Sequence, residues 1–564
     1  MCVCLGGADD SFAMRSRPCG RFCLPAPISS PAGGVDSEAD PMDPPKRGVL
    51  CVKQFSNEPV MDYSVDADRA AMEGALADVR AQLGRNYPLI IGSRRIDARR
   101  EIASVNPSRH EQVVGHVAQA DTAEADAAMD AAWNAFGMWC RMPAEARAST
   151  ILRLAGVMRR RRLELAAWLV LEVSKNWSEA DADVAEAIDF CEFYAREAIR
   201  YGQMNLVHPH PSEINMQRYI PLGVGVIISP WNFPLAILTG MTVAAVVTGN
   251  TVIVKPANTA GVIASKFMEM AEEAGIPDGV VNYLPGSGAS VGGYLVQHPK
   301  TRFINFTGSK DVGVHINQTA AMARPGQTWI KRVIAEMGGK NCIIADDSAD
   351  LESAASDIVA SAYGFQGQKC SACSRVIAVD TVYDEVLERA RVLTERLSLG
   401  PAAGNPNVAS VIDERAHRSI MEYIDIGARE GRVVIGGHGD RSEGYFVEPT
   451  IIADVDPGAR IAQEEVFGPV VAFMRARDFD HAIEMANSTE YGLTASVYSR
   501  SRHHVESAKD AVHVGNLYVN RGCTGALVGV HPFGGFNMSG TDSKAGGPDY
   551  LLLFQQAKSI SEAV

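Results

Sequence analysis

Four short runs rich in Val, Ile and aromatics, Val224 to Ser229, Thr251 to Lys255, Val280 to Leu284 and Arg302 to Phe306, are separated by helix-length segments. Strands that alternate with helices imply a parallel sheet with helices on both faces, and such sheets bind ligands at the carboxyl ends of their strands. A second α/β region starts after Arg332, with an apolar run ending in Glu336, then Met337, Gly338, Gly339, Lys340, Asn341, and a strand from Cys342 to Ala345. A helix from Asp346 to Tyr363 leads on to a Gly-punctuated turn around Cys370. At 564 residues the chain exceeds one hydrophobic core, and roughly three or four domain-sized units are expected.

Charge and composition narrow the function classes. The net charge of −14 argues against nucleic-acid binding, which needs a basic face. Eleven cysteines in so long a chain suit a reducing compartment, so free thiols and a cytoplasmic location are expected, or the mitochondrial matrix in a eukaryote. The longest apolar run, Leu235 to Val247, is short of the ~20 residues that span a bilayer and reads as a core helix. Residues 1–55 differ from the rest by a Pro, Gly and Ser bias and are expected to form a disordered N-terminal extension. Cys2, Cys4, Cys19 and Cys23 lack the paired spacing and the histidines of a zinc site, and Asp9 and Asp10 speak against a transit peptide. No metal is expected.

Helical spacing begins near Met72 and continues through Ala123 to Trp139 and Ala144 to Tyr201, with Pro88 to Ile91 as a strand. The run Arg159 to Arg162 reads as a solvated helix face. Two strand ends carry glycines that allow close backbone approach to a phosphate: Pro285, Gly286, Ser287, Gly288, leading into a helix toward Val296, and Thr307, Gly308, Ser309, opening another helix. His208, His210, His503 and His504 read as loop or surface residues.

Cys370 lies between Lys369 and Arg375, surroundings that favour a reactive thiolate, although a buried cysteine used only for packing fits the local sequence as well. Cys373 completes a Cys-x-x-Cys spacing with no second pair at ligand distance. Glu336, ending an apolar strand before two glycines, is badly placed for a structural carboxylate and is a candidate functional group.

Cys370, Glu336, the segment Ser229-Pro-Trp-Asn-Phe-Pro234, Lys255-Pro-Ala257, Glu464-Glu-Val-Phe-Gly-Pro469 and Pro532-Phe-Gly-Gly535 occur in an order that resembles the aldehyde dehydrogenase superfamily from about residue 55 to the end. Gly367 to Arg375 and Ser539 to Leu551 are similar to its branch acting on glutamate-γ-semialdehyde. The resemblance implies a Rossmann-type cofactor domain (56–203 and 222–335), an α/β catalytic domain (336–547) and a small oligomerisation flap (204–221 and 548–564) that makes a homodimer or a multiple of it. It assigns Cys370 as nucleophile, Asn232 with the Cys370 N–H as oxyanion donors and Glu336 as general base. Lys255 and Glu465 fall to the ribose hydroxyls, Phe467 to the nicotinamide ribose, Gly308 and Ser309 to the pyrophosphate, and Trp231 and Gly286 to the cofactor site.

NAD is the expected cofactor. Asn258 stands where many NAD-selective members carry a glutamate, which leaves NADP open. For the substrate, the resemblance implies a small molecule whose carboxylate meets Ser371 and the N–H groups of Gly525 and Ala526. Phe233 and Phe533 either cover its aliphatic stem or are core residues. Glu186 is a weaker candidate, read more simply as an exposed helix residue. The implied reaction is oxidation of glutamate-γ-semialdehyde to glutamate in proline or arginine catabolism; a related semialdehyde dehydrogenase and a catalytically silent structural protein are the alternatives. With no proline-oxidising domain expected in the first residues, the intermediate is expected from a separate enzyme.

Overall fold

The structure, a computed structural model, describes residues 54–203 and 205–564. The expected N-terminal extension lies almost wholly outside the described residues, as do its five cysteines. The strands read from sequence form one seven-stranded sheet in the order Arg332–Glu336, Phe303–Thr307, Val224–Ile228, Thr251–Lys255, Val281–Tyr283, Leu89–Ile91, Arg94–Ile96. The first five are parallel, and the last two are an antiparallel hairpin added at the edge. Parallel strands covered on both faces read as near-continuous apolar runs, and Thr251–Lys255, with Val252, Ile253 and Val254 at its centre, is buried at every position.

A second seven-stranded sheet runs Arg432–Ile435, Thr450–Ala453, Val470–Ala476, Cys373–Val379, Asn341–Ala345, Thr494–Tyr498, Asn516–Val519, parallel except at its first strand. Glu336 belongs to the first sheet: it is the final residue of Arg332–Glu336, paired with Thr307. The Met337 to Lys340 segment carries the chain from one sheet to the other, so this carboxylate stands at their junction.

Helices Ala144–Arg160, Arg162–Val173 and Trp177–Tyr201 replace the single helical stretch read from sequence. The break at Ser174 is a left-handed residue followed by an Asn176 cap whose side chain accepts the Glu179 N–H. The arginines at 159–162 are not merely solvated. Arg159 pairs with Glu58 and Glu192, Arg161 with Glu164 and Glu269, and Arg162 with Asp181, tying the segment around Glu58 to the helices. The apolar helix Ala236–Val247 is buried on nearly all sides, and among the described residues no helix is long and apolar enough to cross a membrane.

The flap is a three-stranded antiparallel sheet, Gln555–Ala563 against Glu213–Pro221 against Asn205–Leu206, in register from Gln555 opposite Pro221 to Ala563 opposite Glu213. It starts later than the sequence suggested. Tyr550–Phe554 forms a 3-10 turn whose Tyr550, Leu551 and Phe554 are buried in the main core, because three large apolar side chains gain more there than in a two-sided exposed ribbon. His504, read as a surface residue, is half-buried: its ring stacks on Phe479 at 4.2 Å, and its Nδ1 lies 2.7 Å from Asp346 Oδ2.

Candidate active site

The turn that presents Cys370 has unusual backbone. Phe365 and Gln366 both have positive φ, 49° and 57°, and Gly367 follows at 66°. A Cβ at Gly367 would sit 2.2 Å from the Gly468 carbonyl oxygen, so only glycine fits there. Left-handed non-glycine residues are held by their surroundings. The Gln366 amide donates to the carbonyls of Ser174 (3.0 Å) and Ser410 (2.8 Å), and Gln368 Oε1 accepts the Ile412 N–H at 2.9 Å. Asn341 Nδ2 donates to the Cys370 carbonyl at 2.7 Å from the other side.

Cys370, Ser371, Glu336, Phe233, Phe533, Gly525, Ala526 and Glu186 line one cavity of about 270 Å³. Asn232 is not on its wall but buried beside it, its Nδ2 donating to the Gln368 carbonyl at 3.0 Å, two residues before the thiol. One amide hydrogen remains for a second acceptor.

Cofactor candidates lie around Glu336 and the first sheet. Gly308 N–H donates to the Glu336 carbonyl at 3.1 Å, and Ser309 precedes helix Lys310–Ala321. Glu465 Oε1 accepts the Gly339 N–H at 3.0 Å. Phe467, at φ 56°, meets Trp231 edge to face at 5.6 Å. Buried Lys255 donates to the Pro256 carbonyl at 3.0 Å and runs under Gly292, where a Cβ would touch its chain at 3.4 Å. The helix expected after Gly286 is a single wide turn, Gly288–Gly292, followed by Gly293–Gln297.

Electrostatics overturn one expectation. The two cations flanking the thiol are occupied: Lys369 pairs with Glu179 at 2.6 Å, and buried Arg375 donates to the carbonyls of Lys340, Met485 and Ala486. Burial, then the Glu336 and Glu465 carboxylates, push the Cys370 thiol up to about 12, so the resting sulfur is a thiol. Burial raises Glu336 to about 7, although the Ser543 hydroxyl (2.7 Å) and the Gly535 N–H (3.2 Å) favour its charged form. Glu465 is raised to about 7 and Lys255 lowered to about 8, in both cases first by burial. Glu186 is not an exposed helix residue: it faces the cavity, and burial followed by Asp183 raises it to about 8.

Sequence reasoning missed what lies behind the wall. Lys175 and Asp183, both 0% exposed, pair at 3.1 Å, with the Lys175 ammonium 3.6 Å from the Phe233 ring centre and 4.5 Å from that of Phe365. Asp183 Oδ1 accepts the Ala236 N–H at 2.7 Å. The pair therefore links the Asn232 segment to the Cys370 turn. A signal existed: Asp183 falls among apolar positions such as Ala180, Val184 and Ala187.

A model of the aldehyde dehydrogenase family matches residues 95–560. The chain is 59% identical over 512 residues to the 1-pyrroline-5-carboxylate dehydrogenase of Geobacillus thermodenitrificans, covering 91% of this chain and 99% of that protein. A Thermus 1-pyrroline-5-carboxylate dehydrogenase crystallised with bound NAD superposes with a TM-score of 0.90 at 53% identity, covering 91% of this chain and all of that one. An NADP-dependent enzyme of E. coli superposes with a TM-score of 0.81 at 31% identity, covering 86% of this chain and 99% of that one.

Proposed function

Since the chain belongs to the aldehyde dehydrogenase family, we propose that it oxidises glutamate-γ-semialdehyde, the open form of 1-pyrroline-5-carboxylate, to glutamate with NAD. The observation that carries this reading is one cavity wall holding a thiol, a carboxylate near pH 7 and a loop of backbone N–H groups.

Cys370 Sγ attacks the aldehyde carbon. Because the thiol is raised so far, a base must remove its proton, and Glu336 on the same wall takes it. The free amide hydrogen of Asn232 and the Cys370 N–H receive the oxyanion, a stabilisation in which one donor is worth ~2.7–4 kcal/mol. When bound, NAD supplies a hydride acceptor, which turns the adduct on Cys370 into a thioester. Glu336 gives the first proton, from the thiol, up to solvent and then takes one from the water that attacks the thioester; the thiolate leaves and recovers its proton from Glu336, and glutamate is released.

Lys255, Glu465, Phe467, Trp231, Gly308, Ser309 and Gly286 would hold the cofactor. Asn258 Oδ1 is buried with no hydrogen-bond partner, three residues beyond Lys255. An unused acceptor suits a ribose 2′-hydroxyl and not a 2′-phosphate, which favours NAD over NADP. Ser371, Gly525 and Ala526 hold the substrate carboxylate, Phe233 and Phe533 cover its stem, and Glu186 faces its amino end. Steady-state rates with pyrroline-5-carboxylate and either NAD or NADP test the reading, and faster turnover of another acid-bearing aldehyde would replace it with a different semialdehyde specificity.

The edge strand Gln555–Ala563 and the exposed Leu206, Val207 and Ile214 of the flap support pairing with a second copy. Sedimentation showing only monomer at micromolar concentration would overturn that. The six described cysteines are free thiols, in keeping with the cytoplasm, and a disulfide found by non-reducing peptide mapping would contradict it.

A further inference from the structure

The loop from Thr524 to Leu527 is held by Arg521 from behind and by His531 on the cavity wall. Arg521, two residues beyond strand Asn516–Val519, donates through Nη2 to the Thr524 carbonyl at 2.7 Å and the Gly525 carbonyl at 3.1 Å. These carbonyls belong to the two peptide units whose N–H groups sit on Gly525 and Ala526. In a trans peptide the C=O and N–H point in opposite directions. A guanidinium behind both carbonyls therefore turns both N–H groups away from itself, and Gly525 and Ala526 line the cavity. Hydrogen bonding at a carbonyl also polarises the amide and strengthens its N–H as a donor. Gly525, at φ 75°, supplies the left-handed residue that brings neighbouring N–H groups to one side, as in anion-binding nests.

The second support is His531. Its Nδ1 accepts the Leu527 N–H at 3.1 Å, and its Nε2 lies 3.3 Å from Arg521 Nη1. Tyr518 backs both: its ring centre lies 4.5 Å from the guanidinium carbon and 5.8 Å from the imidazole centre. Two donors thus face a ring whose neutral form has one acceptor and whose charged form has none.

We propose that Arg521 and His531 are positioning residues for substrate selection: they hold the loop so that the N–H groups of Gly525 and Ala526 meet the carboxylate of an acid-bearing aldehyde. The arginine acts on the substrate anion through two peptide units, without touching it. The inference rests on the reading of Gly525 and Ala526 as carboxylate donors.

The test compares glutamate-γ-semialdehyde with propanal, an aldehyde that lacks the carboxylate. Arg521→Gln, whose side chain is two bonds shorter and carries no charge, is expected to raise KM for the semialdehyde about tenfold or more, as loss of a charge-assisted hydrogen bond does. Its kcat, and both constants for propanal, should stay within about twofold. Arg521→Lys, which keeps the cation without the fork, should recover part of the preference and serves if the glutamine variant does not fold. His531→Asn, whose Oδ1 can replace Nδ1, should preserve KM, whereas His531→Leu should raise it. Equal losses on both aldehydes, or no change on either, would overturn the brace. A wild type that oxidises propanal but not the semialdehyde would instead overturn the reading beneath it.

Discussion

Cys370 and Glu336 reach the same cavity from unlike backbone. Glu336 ends a regular strand, its carbonyl and its neighbours fixed by the parallel ladder with Phe303–Thr307. Cys370 follows three successive residues at positive φ, and that turn is fixed by side chains: Gln366, Gln368 and Asn341 take up its backbone and that of adjoining loops. The difference separates two ways of placing a reactive group. A strand end inherits its position from the sheet, while a strained turn depends on a few individual hydrogen bonds, each removable by one substitution.

The contrast can be broken in three places. Removing the nucleophile, Cys370→Ala, is expected to abolish turnover, by roughly 10⁴-fold or more in kcat as for other covalent catalysts, with folding unchanged by thermal melt; residual turnover within tenfold of wild type would remove Cys370 from the chemistry. Glu336→Gln should lower kcat by about 10²–10⁴-fold at steady state, and a loss of less than tenfold would remove Glu336 from the chemistry. In wild type the rate should fall as pH drops through about 7, because the base must be charged. The same raised value has a stability consequence. Between the ordinary 4.5 and about 7 the folded protein binds the proton more tightly than the unfolded chain, so stability declines as pH rises through that window. Glu336→Gln should therefore melt higher than wild type at pH 8, and an unchanged or lower melting temperature there would contradict the burial cost. Gln366→Ala is the smallest change. It leaves the Ser174 and Ser410 carbonyls without a partner, at about 1–3 kcal/mol, and should lower both melting temperature and kcat; an equal fall in stability with kcat intact would show that the turn does not need this brace to present its thiol.

Residues that owe their place to a strand were legible in the sequence. The βαβ spacing led to the parallel sheet and to Glu336 at a strand end, and the order of motifs led to the family. What depended on contacts distant in the chain was not. The cations beside Cys370 looked available because nothing in Gln368-Lys-Cys370 reveals that Glu179, 190 residues away, claims Lys369. Glu186 looked exposed because its helix is polar on paper, whereas helix Ala236–Val247 and the Gly525 loop enclose it. The flap boundary was misplaced because Tyr550, Leu551 and Phe554 are equally good strand residues until the core they enter is known.

That last turn has a further consequence. Tyr550 is a wall residue of the cavity, its hydroxyl accepting from Asn305 Nδ2 at 3.0 Å, and only five positions later Gln555 begins the outer strand of the flap. Arg332, four residues before Glu336, gathers the carbonyls of Leu552, Leu553 and Gln555 on one guanidinium nitrogen. The strand that carries the base and the segment that launches the exposed edge thus share a single anchor. A displacement of that edge has less than two helical turns' worth of chain in which to fade before it reaches the chamber where the aldehyde sits.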